Sequence, residues 1–165
     1  MYVYEEPPRP VAITLNPLAL TVGRLSANVE LLLAPHHSLV LSPNLIVFHE
    51  ARGGRYSLLN EGLGLASNVS NSFGGEVGYH YWWRWRRSLS GPFFGPSLLV
   101  GSVTNASVGA TTGAQTYWGM AFDAGGQAVL PGGFTIGAGI GMGFVEMADA
   151  YAVFPRFLLQ LGWSF

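Results

Sequence analysis

The stretch Pro155-Arg156-Phe157-Leu158-Leu159-Gln160-Leu161-Gly162-Trp163-Ser164-Phe165 decides how the rest of the chain reads. Phe157, Leu159, Leu161, Trp163 and Phe165 fall on every second position, with Arg156, Gln160 and Ser164 among the residues between them. A period of two is the signature of a strand, because successive side chains leave a pleated backbone on opposite faces. One face here is wholly apolar and ends in two aromatics. The other carries an arginine, an amide and a hydroxyl.

Composition says which solvent the apolar face meets. The chain of 165 residues is 49% hydrophobic, 10% charged and free of cysteine. Soluble domains carry about 25% charged residues, so these surfaces are too poor in charge for water. No apolar run reaches the roughly 18 residues that a membrane-spanning helix needs. Strands with one face toward lipid and one toward a lumen satisfy both facts. A soluble β-sandwich would need polar outer faces, which these strands lack. The net charge of −1 gives no reason to expect nucleic acid as a partner.

The same alternation recurs upstream. Residues 1–10, rich in proline and glutamate, read as an irregular lead-in, and residues 11–165 as one domain. The first strand starts at Val11 and is expected to run to Val22 through a bulge at Asn16-Pro17, because proline cannot donate to a ladder. Strands follow at Leu25–Leu33, Leu39–His49 (with an irregularity at Pro43), Gly74–Trp85 and Gly91–Thr104. In the last of these Phe94, Leu98 and Val100 are expected to face outward. Gln115–Ala128 and Phe134–Phe144 precede the closing strand. Turns are expected at Gly23-Arg24, Ala34–Ser38, Arg86–Ser90 and Leu130–Gly133. Loops are expected at Glu50–Phe73, Asn105–Ala114 and Val145–Val153. The fold class is all-β: an eight-stranded antiparallel up-and-down transmembrane β-barrel. Closure removes the unpaired edges that lipid does not tolerate.

The terminal aromatic strand, the Thr14-Leu15-Asn16-Pro17 segment and the runs Gly74–Tyr81 and Gly91–Pro96 resemble those of small bacterial outer-membrane β-barrels, the OmpA transmembrane domain and OmpX-like family. The resemblance implies residence in the outer membrane of a Gram-negative cell as a mature chain without its signal peptide. It implies outer-membrane lipids as partners, and recognition of the strand ending at Phe165 by the barrel-assembly machinery. Periplasmic termini then put the three long loops outside. Tyr81, Trp83, Trp85, Phe134, Trp163 and Phe165 should form one interfacial girdle, and Phe48, Trp118, Phe144 and Phe157 the other.

Five ionisable residues fall on inward faces: Glu30, Glu76, His80, Asp123 and Arg156. Eight strands leave room only for side chains, so these are expected to plug the lumen, with Arg156 bridging Glu30 or Glu76 and His80 and Asp123 joining the network. The glycine row Gly137, Gly139, Gly141 and Gly143 is expected to serve close packing of backbone, with room for Trp82 or Phe93 as the alternative. The expected function is a structural, surface-presenting scaffold, with a narrow pore or a lipid-modifying enzyme as alternatives. The His36/Ser38 pair has catalytic spacing but lies in a turn, with His37 beside it. His49 and Glu50 lie at the outer rim with Ser57 in a loop. The chain is therefore read as non-enzymatic, without metal or cofactor. Arg84, Arg86 and Arg87 read as headgroup anchors.

Overall fold

The computed structural model describes residues 9–18, 24–46, 69–83, 89–107, 110–147 and 150–165. Eight strands form one closed antiparallel barrel: β1 (Val11–Leu15), β2 (Arg24–Ala34), β3 (His37–Ile46), β4 (Val69–Trp82), β5 (Gly91–Ser107), β6 (Ala110–Val129), β7 (Phe134–Met147) and β8 (Ala150–Ser164). The closing strand pairs with both β7 and β1, from Ala12↔Ser164 to Leu15↔Leu161. Val11 and Phe165 exchange backbone bonds to finish the seam.

One row of paired residues can be followed round the wall: Trp163, Ile13, Val29, Leu41, Val77, Leu98, Met120, Phe144, Val153. It returns to β8 ten residues from where it began. With about 3.3 Å per residue and about 4.8 Å between strands, this stagger tilts the strands by about 40° and gives a backbone radius of about 8 Å. Ten residues at that tilt climb about 25 Å along the axis.

The wall is inside out relative to a soluble protein. Exposed side chains include Ile13, Leu41, Leu98, Ile140, Phe157 and Trp163, whereas Glu30, Ser42, Glu76, Asp123 and Gln160 are buried. Phe94, Leu98 and Val100 face out and Phe93 faces in. At the end holding Phe165, Trp83 and Trp163 are exposed, and Phe134 meets Trp163 edge-on at 5.1 Å. At the far end Trp118, Phe73 and Tyr151 are exposed, and Phe144 stacks on Tyr151 at 6.2 Å. Phe157 is not in the far band: it pairs with Ile140, in the middle of β7.

Several expectations need correction. The first strand stops at Leu15 without a bulge. The Asn16 side chain accepts from Leu18 N at 3.1 Å and caps a helical turn that opens at Pro17, as asparagine before proline commonly does. Leu20 and Val22 lie outside the described residues. The second turn is shorter than expected, only Pro35-His36. Pro43 keeps its place: the β2–β3 ladder breaks between Ser26↔Asn44 and Val29↔Leu41, but the register is the same on both sides.

The loops shrink more. Val69–Phe73 belongs to β4, the expected loop at Asn105–Ala114 is strand on both sides of 108–109, and that at Val145–Val153 is strand on both sides of 148–149. Pairing holds these segments extended, through Ala106↔Thr111 and Val145↔Ala152 among others. The fourth strand ends at Trp82 rather than at Trp85. Phe48, His49, Glu50, Ser57, Trp85 and Arg84, Arg86 and Arg87 lie outside the described residues. The lead-in does not stay apart up to Pro10, since Pro10 O accepts from Leu32 N at 2.7 Å and the Arg9 guanidinium donates to Leu130 O at 3.3 Å.

Candidate functional site

The interior is stacked in layers, and each layer follows from which residues reach inward. At the end holding the termini, Ala12, Trp82, Leu89 and Phe93 form an apolar cluster, with Leu32 and Leu158 against it. Trp82, 2% exposed, cannot be buried without a partner for its indole N–H. It donates to Ser38 Oγ at 2.9 Å, and Ser38 donates to Glu30 Oε1 at 2.5 Å. His80 Nδ1 lies 3.0 Å from the same carboxylate oxygen, and its ring stacks on Phe93 at 4.2 Å. The cap and the Glu30–His80 pair are thus one connected unit.

Further up, Arg156 reaches from β8 between two carboxylates. Its Nη2 donates to both oxygens of Glu76 at 2.9 Å, and its Nε lies 3.2 Å from Asp123 Oδ1. A guanidinium held in this way offsets part of the cost of taking two acids out of water. Above this layer Val145, Met147 and Phe154 form a second apolar cluster with Tyr117 against it.

All five expected interior residues therefore point inward, but they form two groups rather than one. Arg156 engages Glu76 and Asp123, while Glu30 takes Ser38 and His80. The glycine row lets backbone pack closely, as expected: a Cβ on Gly139 would press on the Ala124 carbonyl and one on Gly141 on the Phe122 carbonyl. A Cβ on Gly141 would run into the Asp123 carboxylate and one on Gly143 into the Phe154 ring. The row makes room for its own strand neighbours, not for Trp82 or Phe93.

The residues with catalytic spacing engage separate partners. His36 Nδ1 lies 2.8 Å from Trp82 O, and Ser38, fully buried, spends its hydroxyl on Glu30. Among the described residues no three His, Asp or Glu side chains converge on a metal-sized site. Reasoning from sequence missed Ser38, read as a turn residue, and Phe154, left between the expected loop and the closing strand. It also missed Leu89, whose carbonyl accepts from Gln127 Nε2 at 2.8 Å. The alternation Tyr151-Val153-Phe157 carried the signal for Phe154.

The surface aromatics divide by height. Tyr81, Trp83, Phe134, Trp163 and Phe165 sit at the end with the termini, and Trp118 and Phe144 sit at the other. No known family model matches this chain, and no curated protein or solved structure is significantly similar to it. The class rests on architecture alone: an all-β, closed, eight-stranded antiparallel barrel, a form consistent with the outer-membrane barrels.

Proposed function

We propose that this chain is an integral outer-membrane β-barrel, a rigid scaffold whose lumen is plugged and whose far end is presented to the outside. One observation carries the reading: a closed ladder turns apolar side chains outward over a height of about 25 Å, bounded by aromatics, and gathers the charges within. In water such a surface would associate. In a bilayer it matches the hydrocarbon, and closure leaves no strand edge for lipid to desolvate. Outer-membrane lipids are then its immediate partners, and the strand ending at Phe165 its handle for the barrel-assembly machinery.

The layers support the reading of a plugged lumen. Two apolar caps flank an Arg156–Glu76–Asp123 centre in a bore of about 8 Å backbone radius, which side chains fill. In this reading the chain is neither an open pore nor an enzyme, because Glu30, Ser38, His80, Glu76, Asp123 and Arg156 engage one another inside the wall.

Refolding into vesicles tests the membrane assignment. Bromine on the lipid acyl chains should quench the fluorescence of exposed Trp118 and Trp163, and aqueous acrylamide should not. A chain that is monodisperse in detergent-free buffer, with Trp163 open to acrylamide, overturns it.

A further inference from the structure

The outer wall is not evenly studded. A groove of about 650 Å³ crosses it from Leu39 on β3 to Val153 on β8. One bank is Val77, Leu98, Met120 and Phe144, successive partners in the row that climbs the barrel. The other is Tyr79, Pro96, Phe122 and Met142. The floor is a registered row of small inward residues, Gly78, Ser97, Ala121 and Gly143, which leaves backbone between the banks. Five inter-strand steps of about 4.8 Å give a length of about 24 Å, rising diagonally through the apolar band. Because it crosses strands tilted by about 40°, it rises about 15 Å along the axis, the depth of one leaflet of a 30 Å hydrocarbon core.

The lower mouth of this groove is polar. Tyr79 OH lies 2.5 Å from Nδ1 of the exposed His37, whose ring also meets Tyr81 edge-on at 5.6 Å. His37 opens β3, at the aromatic belt that holds Trp83 and Trp163. When the phenol donates to Nδ1, the imidazole proton is on Nε2, a donor for an anionic oxygen at headgroup height.

We propose that this wall carries a site for one phospholipid of the leaflet at the end holding the termini, with an acyl chain in the groove and the head-group phosphate at His37 and Tyr79. The occupant is chain-shaped because the groove is long, narrow and apolar, and amphipathic because its polar pair is confined to the interfacial end. A second copy of the barrel fits poorly. A two-fold contact would set this concave face against itself and leave the groove unfilled. The methionines on both banks adapt to a flexible chain.

The inference rests on the membrane reading, and the test separates the two. The full chain is refolded with phosphatidylglycerol vesicles, extracted in mild neutral detergent, and assayed for phosphorus per barrel and by native mass spectrometry. Heat-modifiable gel mobility reports folding independently. Wild type should keep about one phospholipid. His37→Ala/Tyr79→Phe should lose it at least about tenfold, as expected when hydrogen bonds to a charged group are removed. Met142→Trp, which fills the groove from an exposed position, should lose it to a similar extent with folding unchanged. Equal retention in all three folded proteins overturns the site. So does a wild-type dimer whose Met120 and Met142 face cross-links to its copy. A chain that never acquires heat-modifiable mobility sinks the membrane reading itself.

Discussion

The two ends of the barrel are built on different terms. At the end holding the termini two connections are tight. Pro35-His36 joins β2 to β3, and Leu130–Gly133 joins β6 to β7 with Gly132 and Gly133 at φ of 86° and 93°, which side chains resist. The cap inside this end is hydrogen-bonded throughout, from Trp82 to Ser38 to Glu30. At the far end β5 and β6 run on past Trp118, and the inner cap of Val145, Met147 and Phe154 is held by packing. The seven β6 residues beyond Tyr117 rise about 15–20 Å at the strand tilt. The closed end is locked by polar contacts. The extended end is carried by backbone pairing between β5 and β6.

Breaking the charge centre between the ends should have the largest effect. Arg156→Leu leaves Glu76 and Asp123 buried without their cation, and should cost about 3–5 kcal/mol in urea unfolding or abolish heat-modifiable folding. Next comes the contrast between the caps. Trp82→Ala should cost about 3–5 kcal/mol and Phe154→Ala measurably less, because Trp82 also surrenders a buried hydrogen bond. Equal losses would mean that the two caps are equivalent. Gly141→Ala pushes a methyl group into the Asp123 carboxylate and the Phe122 carbonyl, with an expected loss of about 1–3 kcal/mol by the same assay. Shortening the far hairpin by deleting residues 106–111 should change stability least, within about 0.5 kcal/mol, since it removes only the terminal backbone pairs Ala106↔Thr111 and Ser107↔Ala110 beyond the aromatic band. A large loss there would show that the extension supports the wall.

The same contrast explains what could be read from the sequence. Between the aromatic bands one face is apolar and exposed and the other polar and buried, so period two is visible and the facing of β2, β7 and β8 was legible residue by residue. Above the band neither face needs apolar residues. Asn105 to Ala114, small and partly polar, looked like a loop although backbone pairing holds it as strand on both sides of 108–109. Val145 and Met147 blurred the pattern differently, by placing apolar side chains inside. The ionisable residues of the interior were legible because charge on an inward phase stands out. Their partition was not, because which acid meets Arg156 depends on register round the barrel and not on spacing along the chain. The helical turn at Pro17 was hidden for a related reason: Asn16-Pro17 suits either a bulge or a capped turn, and only the Asn16–Leu18 bond distinguishes them.

The central claim, a scaffold barrel plugged by its own side chains, is tested most directly by single-channel recording of the refolded wild-type chain in a planar bilayer. The account predicts silence from protein whose insertion is verified by heat-modifiable mobility. Reproducible discrete steps that Glu76→Gln or Arg156→Gln shifts would contradict it and turn the charged layer from a plug into a pathway.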